Sequence, residues 1–320
     1  MSIDIPEFLR QWISRNFDVI ENWHVRPLRA YTNDVYLVET REGRYVLKVY
    51  GAGWRQDSEI RYEVDLLNHL DSRGILVART VIGRNGEALQ HFACVGEPRQ
   101  AVLYNYAAGS KPEPPFTPAM YHREGRAVAA LHHASDDFVT PHRRRPLDLA
   151  ALIDGPLALV TSLDINNVVR KAILEFCKDV RSRLETHIAA GLDWGVCHGD
   201  LTFDNLHITG DGEFVWYDFD SGGHRWRAVD IQGWTVLDAA WQPLSQAFMD
   251  GYREVRPLSE NDNAAAPYLA AASEVWGIQI DLERRVLNER PSAVRAYLEE
   301  RVDRFASWQH AFRKADTDLG

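Results

Sequence analysis

The chain has 320 residues, 45% hydrophobic and 26% charged, with a formal net charge of −10 and a mean hydropathy of −0.34. That length buries a substantial core in one large domain or two smaller ones. The acidic balance argues against a general nucleic-acid binder, which carries a basic footprint. Three scattered cysteines, Cys94, Cys177 and Cys197, are too few for a disulfide framework and suit free thiols in a reducing cytoplasm.

The opening "MSIDIPEFLRQWISRNF" reads as an amphipathic helix without the basic start and unbroken apolar run of a signal peptide. No apolar run approaches the ~20 residues of a membrane span, so a soluble, cytoplasmic protein is expected. "DVYLVET" and "RYVLKVY" alternate about "REG", which predicts a β-hairpin. Ile60, Val64, Leu67 and Leu70 then recur at helical spacing and form one buried stripe. "ARTVIG", "HFACV" and "QAVLYNY" add strand-like pieces, and the Pro/Gly-rich "AAGSKPEPPFTP" breaks the pattern after Tyr106. A β-rich part is therefore expected over residues 1–106 and a mainly helical part over 107–320. In the second part the longest helical period runs from about Asn167 to Ala190, with Val169, Ile173, Phe176, Val180, Leu184 and Ile188 on one face. "PHRRRP" reads as a solvated basic turn. Helix is expected again after Gly223, with Trp226, Trp234, Trp241, Trp276 and Trp308 mostly in packing.

The stretch "VCHGDLTFDNLHITGDGEFVWYDFDSGG" concentrates the chemistry. Zinc hydrolases need H-E-x-x-H or C-x-x-C spacing, and neither occurs. Cys197 and His198 are neighbours, so on a strand their side chains face opposite ways and cannot form a thiolate–imidazolium pair. His132 and His133 close a helical run and read as packed or capping residues. Phosphoryl transfer needs a carboxylate near the acceptor hydroxyl and hard oxygen ligands for Mg²⁺. His198-Gly199-Asp200, Asn205 five residues later, and Asp218 after a short hairpin about "GDG" supply them. A strand–turn–strand brings its ends together, so Asn205 and Asp218 can converge on one metal. Asp204 and Asp211 read as turn residues. Neither G-x-G-x-x-G nor G-x-x-x-x-G-K-[ST] is present, which removes the dinucleotide fingerprint and the ordinary P-loop.

H-x-D-x-x-x-x-N followed by a hairpin ending in Asp-Phe resembles the kinase catalytic loop and its metal-binding Asp. With Gly after the His and Asp-Phe-Asp at the end, the pattern resembles the aminoglycoside phosphotransferase, choline kinase and homoserine kinase superfamily. "HGDLTFDN", "YDFDSGG" and "VDI" are most similar to its branch of bacterial stress-response and homoserine-kinase-like enzymes, over about Leu28 to Trp241. The resemblance implies an α+β, bilobal protein-kinase-like fold with a β-rich N-lobe, a helical C-lobe, and ATP and Mg²⁺ as cofactors. It implies Asp200 as the residue that accepts or orients the acceptor hydroxyl, and Asn205 and Asp218 as metal ligands. Lys48 in "YVLKVY" would hold the α/β-phosphates and Val46 would roof the adenine. Glu63, beside the buried stripe, is the expected mate of Lys48, with Glu59 one turn earlier as the runner-up. "LRAYTNDVYLVE" takes the place of a glycine-rich loop, with Thr32, Asn33 and Asp34 cradling phosphate. The backbone of Tyr104, Asn105 and Tyr106 would face the adenine edge. Asp220 either assists metal or substrate or caps the following turn, and Asp230 takes the superfamily's structural position near the catalytic loop.

The implied reaction moves the ATP γ-phosphoryl to a hydroxyl of a small molecule: an amino alcohol, a sugar or an aminoglycoside-like antibiotic. A Ser/Thr protein kinase of the stress-response type and an ATP-binding pseudokinase are the alternatives. Acidic, Trp-rich "WTVLDAAWQ" and "ASEVWGIQIDLE" would suit a cationic acceptor.

Overall fold

A computed structural model describes residues 5–18, 24–41, 43–94, 97–231, 241–284 and 290–318. The architecture is α+β, with strands dominating the N-terminal part and helices the C-terminal part. The chain divides into two compact units. The first comprises Met1–Pro114, Ala134–Arg145 and Asp200–Gly222; the second comprises Pro115–His133, Pro146–Gly199 and Gly223–Gly320.

Unit 1 is built on an antiparallel sheet of β1 (His24–Ala30), β2 (Asn33–Glu39), β3 (Arg44–Tyr50), β4 (Thr80–Val81), β5 (Gln90–Cys94) and β6 (Glu97–Asn105). The order is β1-β2-β3-β6-β4, with β5 also on β6. The β2–β3 hairpin is in continuous register from Asn33↔Tyr50 to Glu39↔Arg44. Thr40 closes its turn through N–H and hydroxyl bonds to the Gly43 backbone. Alternation on β3 sorts its side chains onto two faces. Leu47 and Val49 pack with Leu9, Trp12 and Ile13 of α1 (Ile5–Asn16), while Val46 and Lys48 line a cavity on the opposite face. The amphipathic start of the sequence is thus the helix that covers one face of the sheet.

Helix α2 (Asp57–Ser72) buries Ile60, Val64, Leu67 and Leu70, the predicted stripe. It starts where Glu59 reaches back to accept from the Gln56 N–H at 3.0 Å, satisfying one of the open donors of the first turn. Residues 134–145 run along this helix as a strap. Phe138 meets the Tyr62 ring edge-on at 5.3 Å, and the Arg143 N–H donates to Ser58 Oγ at 2.7 Å. The segment Asp200–Gly222 adds the hairpin β8 (Leu206–Ile208) and β9 (Phe214–Trp216), and Trp216 exchanges backbone bonds with Leu76 and Ala78.

Unit 2 is mostly helical: α3 (Pro118–Ala134, which runs one residue into unit 1), α4 (Gly155–Ser162), α5 (Asn167–Ala189), α6 (Gln242–Arg253), α7 (Glu260–Arg284) and α8 (Pro291–Asp318). Helix α5 buries Val169, Ile173, Phe176, Val180 and Leu184 and packs on α7 and α8, with Phe176 and Phe305 stacked at 4.0 Å. The helix expected directly after Gly223 is preceded by a strand, since residues Gly223–Trp226 (β10) pair with β7 (Trp194–Cys197). Trp226 is buried against Trp194. Trp234 lies outside the described residues.

Candidate active site

Lys48 sits in the middle of β3 with its side chain 6% exposed. Its ammonium lies 3.1 Å from Glu63 Oε1, 3.1 Å from Asp218 Oδ1 and 3.7 Å from Asp220 Oδ1. Burial works against its charge, but the carboxylates of Glu63, Asp220 and Asp218 outweigh burial and hold its pKa well above the ordinary value. Lys48 is therefore a permanently charged hub joining three separate stretches of chain within unit 1.

Glu63 projects from α2 and is fully enclosed. Besides Lys48 it receives Tyr50 OH at 3.2 Å, Tyr104 OH at 3.3 Å and Arg144 Nη2 at 3.3 Å. Burial, then the neighbouring Glu63 charge, pushes both phenols up, so they keep their protons and donate them. Glu59 engages Arg55 at 3.6 Å instead of Lys48. Arg144 corrects the reading of "PHRRRP" as a solvated turn, for its side chain is only 4% exposed. It also donates to Phe219 O at 2.9 Å and Gly222 O at 2.7 Å, with its guanidinium over the Tyr62 ring. One arginine thus ties the Glu63 helix to the backbone after Asp218.

Asp218 adopts the left-handed conformation (φ 62°, ψ 59°), the one non-glycine with positive φ among the described residues. Asp tolerates this region better than bulkier residues, and such strain persists only where surroundings over-determine it. Its Oδ1 faces Lys48, and its Oδ2 accepts from Arg29 Nη2 at 3.1 Å. Asp220 makes no cap. Its carboxylate accepts from Trp54 Nε1 at 2.8 Å, Arg55 Nε at 3.3 Å and Asn33 Nδ2 at 3.4 Å, while Arg55 Nη2 holds its carbonyl at 2.6 Å. Burial is the largest influence on Asp220 and opposes ionisation. Lys48, Arg55 and Arg144 overcome it and hold the carboxyl far below the usual range. Four donors from the first strands and the loop after β3 therefore anchor the residue two positions beyond Asp218.

Asp200 is exposed, and Asn205 is buried on a short 3₁₀ turn. The Asn205 amide donates at 2.8 Å to both Asp200 O and Asp200 Oδ2, which fixes the Asp200 carboxylate and leaves Asn205 Oδ1 as an oxygen ligand. The residues just before Asp200 are set within unit 2. Asp230 Oδ2 and Oδ1 accept from the N–H groups of His198 and Gly199 at 2.8 and 2.9 Å, and Gly199 turns at φ 83°. His132 braces Asp230 at 3.1 Å and binds Tyr252 OH at 2.8 Å. His132, Cys197 and Asp230 lie close enough to share a metal. Both imidazole nitrogens and both carboxylate oxygens are already engaged, and burial pushes the Cys197 thiol up. His132 and Asp230 form a hydrogen-bonded brace, with the Cys197 thiol turned to backbone carbonyls of Gly195 and Arg225.

Within unit 1 a cavity of about 360 Å³ is lined by Val46, Lys48, Glu63, Tyr104, Asn105, Tyr106, Asn205 and Asp218. The N–H groups of Asn105 and Tyr106 already donate to Arg79 O and Arg44 O, at 2.8 and 3.0 Å. Their carbonyls and the Ala107 N–H are what remains for a ligand edge, since Ala107 O is taken by His207. Thr32 and Asn33, expected to cradle phosphate, are buried and do not line the cavity. The Asn33 amide is spent on Asp220 and on the Gly51 N–H at 3.3 Å, and Asp34 pairs with Arg99 at 2.7 Å. Leu28 and Arg29 line it instead, beside a register shift in β1 that leaves Leu28 unpaired between Pro27↔Tyr36 and Arg29↔Val35. Asn205 Oδ1 and the Asp218 carboxylate are hard oxygen donors facing one cavity, a set that fits Mg²⁺.

Sequence reasoning missed Arg29, Trp54, Arg55, Arg144, His207 and Tyr217. His207 sits at the centre of β8, two residues after Asn205, and lines the same cavity. It lies between the Tyr106 and Tyr217 rings with Nδ1 2.9 Å from Ala107 O, and burial lowers its pKa. The arginines carry no local signal. Of the acidic segments proposed for an acceptor, "WTVLDAAWQ" falls largely outside the described residues. In "ASEVWGIQIDLE", Asp281 pairs with Arg301 and Tyr297 and Glu274 pairs with Arg304, so these carboxylates bind α8. No helix among the described residues is long and apolar enough to cross a membrane.

Comparison with known proteins follows the same geometry. A homoserine kinase of Methylobacterium radiotolerans is 29% identical over 274 residues, covering 82% of this chain and 80% of that one. The solved microcompartment-associated aminopropanol kinase superimposes with a TM-score of 0.72 at 22% identity, over 98% of both chains. Amicoumacin kinase hAmiN, solved with AMP-PNP, Ca²⁺ and amicoumacin, gives a TM-score of 0.75 at 18% identity, over 96% of this chain and 93% of that one. These likenesses place the fold in the bilobal, kinase-like α+β class. Because the pattern of the phosphotransferase enzyme family matches residues 24–262, a span that contains the Lys48–Asp218 cluster, the chain belongs to that family and is a kinase with a hydroxyl acceptor.

Proposed function

We propose that the enzyme moves the γ-phosphoryl of ATP, with Mg²⁺, to the hydroxyl of a small amino alcohol. The observation that carries this reading is the meeting of Lys48, Glu63 and Asp218 at 3.1 Å contacts in a cavity that also holds Asn205. Val46 would cover one face of the adenine and His207 the other, with its edge against the Asn105–Ala107 backbone. Lys48, kept charged by its carboxylates, would hold the α- and β-phosphates. Asn205 Oδ1 and Asp218 would hold the metal, which when bound neutralises charge on the transferring group. Asp200, fixed by the Asn205 amide, orients the attacking hydroxyl and takes its proton as the oxygen–phosphorus bond forms and the γ-phosphoryl leaves ADP. Positioning and charge compensation supply most of the acceleration, so few residues are needed.

The amino-alcohol class is supported by relatives and neighbours whose names specify homoserine and aminopropanol. A cytoplasmic site of action suits the buried free thiols of Cys177 and Cys197. The test is incubation of the full chain with ATP, Mg²⁺ and a panel of amino alcohols, sugars and peptides, reading the gain of one phosphate by mass. Asp200→Asn is expected to abolish transfer while nucleotide affinity stays within about twofold, the pattern of a group acting on the reacting atoms alone. Undiminished transfer in that variant, or phosphate appearing only on peptides, overturns the assignment.

A further inference from the structure

We infer that Arg29 is the phosphate clamp of this enzyme, doing from β1 what backbone amides of a glycine-rich loop do elsewhere; this rests on the nucleotide reading above. The β1–β2 turn contains no glycine, and neither Thr32 nor Asn33 lines the cavity. What the strand presents there is a cation. The register shift at Leu28 inserts one extra residue into β1, the kind of irregularity that re-aims a side chain beside a site. Leu28 and Arg29 both line the cavity as a result.

The charge inventory of the cavity isolates Arg29. Lys48 has Glu63 at 3.1 Å and Lys111 has Asp204 at 2.8 Å, carboxylates that the metal does not require. Arg29 has Asp218 Oδ2 at 3.1 Å, an oxygen of the expected metal ligand. A divalent cation and a guanidinium compete for that oxygen, and the dication carries twice the charge in a smaller radius. A metal held by Asp218 would take this oxygen from Arg29. Its side chain is half exposed. Asp204, which feels the Arg29 charge, already has Lys111, and the oxygens of a nucleotide triphosphate match the guanidinium fork in a way they match no ammonium. Arg29 thus guards Asp218 before nucleotide arrives and grips phosphate afterwards.

The test is calorimetric titration of the full chain and of Arg29→Ala with Mg-ATP and separately with adenosine. Arg29 is on the surface, so the substitution leaves the fold intact. The variant is expected to bind Mg-ATP about 10- to 100-fold more weakly, the effect of one charge-assisted bond, and adenosine unchanged. Mg-ATP affinity within twofold of the wild type, or an equal loss for adenosine, overturns the assignment of Arg29 alone. A wild-type chain that binds neither ligand removes the nucleotide reading and this inference together.

Discussion

Replacing Arg144 by Met keeps most of its stem in place and removes the guanidinium. Three hydrogen bonds disappear: those to Glu63 Oε2, Phe219 O and Gly222 O, at 3.3, 2.9 and 2.7 Å. They are not equal. Glu63 retains Lys48, Tyr50 and Tyr104, so its charge is not stranded. Phe219 O retains the Gly222 N–H at 2.9 Å. Gly222 O loses the arginine, and an acceptor left wanting in a buried setting costs about 1–3 kcal/mol. Adding about 1 kcal/mol for the weakened Glu63 contact gives a loss of about 2–4 kcal/mol. That range is centred about 1 kcal/mol lower than the ~3–5 kcal/mol typical of breaking a buried ion pair outright. Urea unfolding followed by tryptophan fluorescence, with Trp54 in the same unit as reporter, measures it directly. Arg144→Lys is expected to recover less than half, because an ammonium cannot reach Glu63 and two carbonyls in one plane. A loss below about 1 kcal/mol in the Met variant would refute the reasoning and return residues 141–146 to the status of a solvated loop.

Two further outcomes are expected. Gly109 turns at φ 85°, and a Cβ there would strike the backbone of Ile208, so Gly109→Ala is expected to destabilise by at least about 2 kcal/mol in the same urea assay. Equal stability would show that the Gly109–Ser110 backbone is not held against β8. Burial, ahead of the Asp230 hydrogen bond, lowers the His132 pKa from its unfolded value near 6.5. The unfolded chain therefore takes up this proton first as pH falls. The contribution of a neutral His132 is full above about pH 6.5 and shrinks below it, since stability rises with pH wherever the unfolded state binds more protons. Asp230, also lowered, adds to the loss at still lower pH. His132→Gln, which is uncharged at every pH, is expected to flatten the slope of unfolding free energy between about pH 6.5 and 5, and an unchanged slope counts against the brace.

The elements legible in the sequence were those whose signal is local. Alternation placed Val46 and Lys48 on one face of β3, and the four apolar residues of α2 recur at the period that buries them. The hairpin between Asn205 and Asp218 follows from a turn flanked by β-formers. Strand β10 was not legible, because "GHRW" is four residues long, has no alternation of its own, and is a strand only by pairing with β7. Arg144 was hidden for a different reason. Its partner Glu63 is 81 residues away, and nothing in "PHRRRP" marks which of three arginines will be enclosed. Trp54 and Arg55 carry no local signal of their role, since both are spent on Asp220, some 165 residues later. Asp220 itself was read as an even choice between assisting metal or substrate and capping a turn; its donors speak against the cap and make it an anchor for the strained Asp218 two residues earlier.

The path of the chain through its two units carries one more consequence. The polypeptide passes from one unit to the other five times, at 114/115, 133/134, 145/146, 199/200 and 222/223. No single scission yields both as whole pieces. A fragment stopping before residue 134 keeps Lys48 and Glu63 but forfeits Arg144, Asp218 and Asp220, leaving like and unlike charges entombed without their counterweights. Gene fusion, exon-like shuffling or split-protein reassembly cannot therefore trade the first unit as a contiguous module.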